Sequence, residues 1–223
     1  MKNPETVLIL RSCDKNLQSY EGFQWPREGP VEAPDWQPSS ECGHGLHGFL
    51  WGEGNASLAD ASEDAVWLVV RVRESLIINL KGKVKFPSGN VVFSGPRADA
   101  VKFIQENGAA GKAVIYGTAT AGDSGIATAG AHGTATAGRS GTATAGNFGT
   151  ATAGNSGTAA AGNSGTATAG YKGTATAGYR GTLILRSWDE AAWCYRTHVA
   201  YVGEADILPG VAYKLKDGKF VKA

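Results

Sequence analysis

The chain has 223 residues, with 21 lysines and arginines against 20 aspartates and glutamates, and 32 glycines. A formal charge of +1 argues against a dedicated nucleic-acid binder, which carries a basic excess, and equally against a carboxylate-covered nucleic-acid mimic. No apolar run reaches about 18 residues, so no membrane span is expected. No basic-then-apolar leader opens the chain, so the expected compartment is the cytoplasm, a virion or another assembly.

Residues 1–116 read as an α/β N-terminal cap domain. Segments 6–10, 66–72, 76–80 and 91–93 have the β-branched, apolar character of strands. Segment 22–40, rich in proline and glycine and carrying Phe23, Trp25 and Trp36, reads as an ordered loop. One helix is well punctuated: Pro96 stands near its start, Ala98, Val101 and Ile104 form an apolar stripe, and Gly108 follows its end. Cys42, His44 and His47 are the only compact cluster of metal-ligand types, a weak candidate for three of the ligands zinc needs. The bland alternative is a glycine turn entering a buried strand, with His47 satisfied by backbone. The three cysteines, Cys13, Cys42 and Cys194, are too few for a disulfide scaffold and read as thiols. No cofactor is expected.

From Gly117 the chain runs through eight octapeptides without a slip, typified by Gly-Thr-Ala-Thr-Ala-Gly followed by two variable residues. Thr and Ala alternate with the strand period of two. The bracketing glycines are expected to supply turns with unusual backbone angles. One octapeptide reverses the chain once, so two are needed to close a coil. Residues 117–180 should therefore form a parallel β-solenoid of four 16-residue coils, rising about 4.8 Å per coil. Alanine suits a narrow interior. Threonine should face out, because burying its hydroxyl without a partner is costly. Odd copies then present Thr118, Thr120, Thr134, Thr136, Thr150, Thr152, Thr166 and Thr168 on one unbroken face. Even copies carry two departures, Ile126 and Ala160. Tyr171 and Tyr179 stand at equivalent corners of the last coil, as solvated turns or as contacts with a cap or another chain.

Residues 181–223 read as a small β-rich C-terminal cap. Strands are expected at 182–187 and 197–202. A hairpin is expected to join 213–216 to 219–222 around Asp217-Gly218. Trp188 and Trp193 could cover the last coil. The run Leu8–Asp14 echoes Leu183–Asp189, which suggests two related capping strands.

The octapeptide Gly-Thr-Ala-Thr-Ala-Gly-Tyr-Lys/Arg resembles the repeats of bacterial ice nucleation proteins, and Gly-Thr-Leu-Ile-Leu-Arg-Ser-Trp-Asp at 181–189 is similar to their C-terminal cap. The resemblance covers 117–223. It implies paired octapeptides in 16-residue coils with Thr-x-Thr ladders and corner tyrosines. This chain departs from that family in having four coils where the family has dozens, and in its N-terminal part. Residues 1–116 resemble an uncharacterised bacterial and phage domain, which implies no activity. Arg11-Ser12, the segment 45–51 and the strand at 66–72 are distantly similar to ADP-ribosyltransferases, but no counterpart of the catalytic glutamate follows.

Three function classes are open at this level. The first is a non-enzymatic scaffold whose Thr faces or corners contact a protein partner or another copy. The second is binding of ice or ordered water through the odd Thr face, where a patch of four coils would need assembly for efficient nucleation. The third is an N-terminal enzyme with the solenoid as spacer.

Overall fold

The structure, a computed structural model, describes residues 5–223. The chain divides between Val114 and Ile115 into two compact units.

The first unit is an antiparallel sheet with one helix. Its strands are β1 (Thr6–Cys13), β2 (Gly29–Glu32), β3 (Leu46–Leu50), β4 (Val66–Arg73), β5 (Ile78–Asn79), β6 (Val84–Phe86) and β7 (Ser88–Gly95), followed by α1 (Arg97–Glu106). The spatial order is β2-β7-β4-β1-β3-β6-β5. β1 and β4 pair in full, from Thr6 opposite Arg73 to Cys13 opposite Val66. Alternation sends Val7 and Ile9 into a core with Trp25, Leu68, Val70 and Phe86. The helix packs on β4, β7 and β1 through a buried stripe of Ala100, Val101 and Ile104; Ala98, expected on that stripe, is exposed, because the helix turns position 100 rather than 98 toward the sheet.

The sequence reading also differs in the strands. The strand expected at 76–80 is a 3-10 turn, Glu74–Leu76, followed by a two-residue strand. The expected loop at 22–40 contains β2, an edge strand, where Pro30 is tolerated because an outer edge needs no ladder N–H. β6 was not foreseen, because three residues are too few to show a period.

The second unit is the predicted parallel β-solenoid of four coils. Strands β8 (Thr118–Ala121), β9 (Ile126–Ala129), β10 (Thr134–Ala137), β11 (Thr142–Ala145), β12 (Thr150–Ala153), β13 (Thr158–Ala161), β14 (Thr166–Tyr171) and β15 (Thr174–Ala177) alternate between two sheets. Odd copies stack in one and even copies in the other, each in register with the copy sixteen residues on. The interior is alanine. Ala135, Ala143, Ala151, Ala159, Ala167 and Ala175 are fully buried. So thin a core removes little apolar area per coil, and the continuous backbone ladder must carry much of the order.

Two expectations about this unit are corrected. The residue with the left-handed backbone is the eighth of each copy, not a glycine: Ser124, His132, Ser140, Phe148, Ser156, Ser164, Lys172 and Arg180 have φ between 53° and 58°. The glycines serve close approach instead. A Cβ on Gly154 would stand 2.8 Å from the Arg139 nitrogen, and one on Gly157 would stand 2.9 Å from the Gly141 carbonyl oxygen. Adjacent coils leave no room there for any side chain.

The second correction concerns the cap, made of β16 (Thr182–Asp189), β17 (Cys194–Tyr201), β18 (Tyr213–Lys216) and β19 (Lys219–Lys222). β16 continues the odd sheet, placing Leu183 and Leu185 in register with Ala167 and Ala169. These leucines, with Val202, Ile207 and Tyr213, close the core. Trp188 does not cover it. Strand alternation puts it on the outward parity of Thr182 and Ile184, and Trp193 packs edge-on against it while 80% exposed. The echo between β1 and β16 also does not mark equivalent places. β1 has antiparallel neighbours on both sides, whereas β16 is parallel to β14 and antiparallel to β17.

Candidate functional site

The odd sheet presents the threonines the repeat predicts. Thr118, Thr134, Thr150 and Thr166 form one column and Thr120, Thr136, Thr152 and Thr168 the other. All eight are exposed or half-exposed, and the alanines between them are turned inward. The physical cause is the two-residue alternation within each repeat's four-residue segment between glycines. Within a column, neighbours are one inter-strand step apart, about 4.8 Å; along a strand, the two threonines of a pair are two residues apart, about 6.7 Å. The result is a regular lattice of methyl and hydroxyl groups. On the even sheet Ile126 is 75% exposed and Ala160 stands in place of a threonine, so that lattice is broken.

The corners that hold these strands are built by the two variable positions. In the first six copies the eighth residue's N–H donates to the carbonyl of the seventh residue one coil on, as from Ser140 to Asn155 at 2.8 Å. This bond supports the left-handed residue there. The seventh position adds a second rung. Asp123, Asn147, Asn155 and Asn163 each accept through Oδ1 from the backbone nitrogen sixteen residues later, at 2.7–3.0 Å. An aromatic column also runs along one corner: Tyr116, His132 and Phe148 stack with centroids 5.0 Å apart at each step. Sequence reasoning missed both features, although the sixteen-residue spacing of the Asx and aromatic residues signals them. The two corner tyrosines part company. Tyr171 lies 5.9 Å from Tyr195 of the cap, with Lys172 Nζ 5.2 Å from its ring centre, whereas Tyr179 is 68% exposed.

In the first unit the weak metal candidates do not converge. Among the described residues no three His, Cys, Asp or Glu side chains form a ligand set. Cys42 is exposed, and His44 Nδ1 lies 3.3 Å from Asp35 Oδ2. His47 is not satisfied by backbone as expected, because its buried Nε2 has no hydrogen-bond partner among the described residues. Burial, with Lys83, Arg11 and Lys85 nearby, pushes its pKa down to about 4, so it is neutral at pH 7. The intervening loop is held by Lys85, which is fully buried and donates through Nζ to the Glu41 carbonyl at 2.9 Å. No motif pointed to that lysine. Arg11 and Ser12 sit on β1, with Arg11 Nη1 donating to the His47 carbonyl and Ser12 Oγ accepting from the Asp60 nitrogen.

Fold and face together define an octapeptide-repeat β-solenoid with an ordered threonine sheet, joined to an antiparallel sheet unit. Residues 7–106 match the family described as Domain of unknown function (DUF7666). The chain is 41% identical over 105 residues to an ice nucleation protein of Xanthomonas campestris pv. translucens, and 38% over 105 residues to one of Pseudomonas fluorescens. It is 39% identical over 104 residues to one of Pseudomonas syringae pv. syringae. Each match covers 46% of this chain but only 7–9% of the relative, so the chain spans less than a tenth of their length. No solved structure matches the chain.

Proposed function

We propose that the odd sheet is a contact surface for ice or ordered water. The observation that carries this reading is the in-register pair of threonine columns over four coils. A rigid sheet holding hydroxyls and methyls at constant spacing organises bound water without first having to be ordered itself. The similarity to proteins named ice nucleation protein supports the same reading. It favours this reading over a general scaffold, the first class considered above, for which no specific observation speaks. Four coils make a small patch. A single copy would bind an ice face, and efficient nucleation would require copies to assemble side by side or end to end.

The test replaces Thr134, Thr136, Thr150 and Thr152 with lysine. Thermal hysteresis and droplet freezing temperature are then compared with those of the parent chain and of a matched variant at Thr142, Thr144, Thr158 and Thr174 on the even sheet. Loss of activity in the odd variant only supports the proposal. Equal activity in all three, or none in the parent, sinks it.

A further inference from the structure

The first unit carries a cleft that the solenoid's role does not use. It opens at the end of β1, has a volume of about 320 Å³, and is lined by Arg11, Ser12, Asp14, Gln18, Leu58 and Asp60, among others. That is the lower end of the range for small-molecule sites.

Its electrostatics are unbalanced. Arg11 Nη1 reaches the His47 carbonyl at 3.3 Å, and its guanidinium carbon stands 5.7 Å from the Trp25 ring centre. Its Nε is buried and has no hydrogen-bond partner among the described residues. No ion pair to a carboxylate is formed by it among those residues, although two carboxylates line the same cleft. The neighbouring Cys13 thiol is pushed up to about 11 by burial and supplies no negative charge at pH 7. A half-buried guanidinium without a counter-charge is costly, and an anionic ligand removes that cost.

The carboxylates set the rest of the ligand. Asp14 Oδ1 accepts from the Asn16 and Gln18 nitrogens at 2.9 and 2.7 Å. Asp60 Oδ1 accepts from the Ser62 nitrogen and hydroxyl at 3.0 and 2.6 Å. The second oxygen of each has no partner among the described residues. Ser12 Oγ accepts from the Asp60 nitrogen at 2.7 Å and keeps its own hydrogen to donate. A bare anion would be repelled by the aspartates, and a bare cation by Arg11. A ligand that joins an anionic group to several hydroxyls satisfies both sides.

We propose that this cleft binds a phosphorylated sugar, free or as part of a nucleotide, with its phosphate on Arg11 and its hydroxyls donating to Asp14 and Asp60. Titration calorimetry on the full chain tests this with ribose 5-phosphate, adenosine monophosphate, ribose and inorganic phosphate. A phosphorylated probe should bind at least tenfold tighter than ribose or phosphate alone. Tighter binding of adenosine monophosphate than of ribose 5-phosphate identifies a nucleotide, and the reverse identifies a free sugar phosphate. Arg11→Met should abolish binding. Asp60→Asn, at an exposed position that leaves the sheet intact, should weaken it several-fold even if the arginine variant misfolds. The proposal is overturned if no phosphorylated probe outbinds inorganic phosphate, or if Asp60→Asn binds as the parent does.

Discussion

Asn163 accepts a hydrogen bond through its Oδ1 from the backbone nitrogen of Tyr179, 3.0 Å away and sixteen residues on. The same Asn163 donates its own backbone nitrogen to Asn147 Oδ1 at 2.9 Å. Side chains at the seventh position thus tie one coil to the next outside the strand ladder. Asn163→Ala breaks one rung and leaves the Tyr179 nitrogen to water. The expected loss is about 1 kcal/mol, read by thermal or urea unfolding followed by circular dichroism. Asn163→Asp keeps the acceptor, as Asp123 does, and should match the parent above the carboxylate range.

The corner geometry reverses the usual expectation for glycine. Gly154→Ala places a methyl against the backbone of the coil before it and should destabilise by about 2 kcal/mol. Ser140, by contrast, already holds a φ of 55°. Ser140→Gly relieves that left-handed cost while adding freedom to the unfolded chain, and the two offset to within about 1 kcal/mol. Urea midpoints for the two variants should therefore differ clearly, with Gly154→Ala lower.

Leu185 is in register with Ala169 and is almost fully buried beneath the cap. Leu185→Ala leaves a cavity where the interior widens, at a cost of about 3 kcal/mol. Because coils contact only their neighbours, the damage should be local. Hydrogen exchange should speed up in β14–β16 before it does in β8–β10. Uniform acceleration along all coils would contradict a stack that frays from its end.

His47 makes the first unit sensitive to acid. Its pKa is lowered from 6.5 to about 4, chiefly by burial, so the unfolded chain takes up this proton first. The stability it contributes above pH 6.5 is lost as pH falls through the window down to about 4. His47→Gln should flatten that part of the stability curve, as measured by urea unfolding at pH 7, 6 and 5. An unchanged slope would place the acid sensitivity elsewhere.

The solenoid was legible in the chain of amino acids alone. Eight copies with one period settle the number of coils, the inward alanines and the outward threonines, because each follows from strand alternation between fixed glycines. A one-residue slip between strands is excluded as well, since it would put threonine hydroxyls in an alanine interior. Tertiary structure decided what depends on packing between distant residues. It moved the left-handed turn from glycine to the eighth position, where in the first six copies an inter-coil hydrogen bond supports it, and turned the glycines into points of close approach. It closed the core with Leu183, Leu185 and Tyr213 rather than with Trp188, whose parity on β16 points outward. It also assembled the Arg11 cleft, where Ser12 and Asp60 are 48 residues apart in the chain. No local pattern encodes such a meeting, because it exists only after β1 has been paired on both sides and the loop at 58–60 has folded against its end.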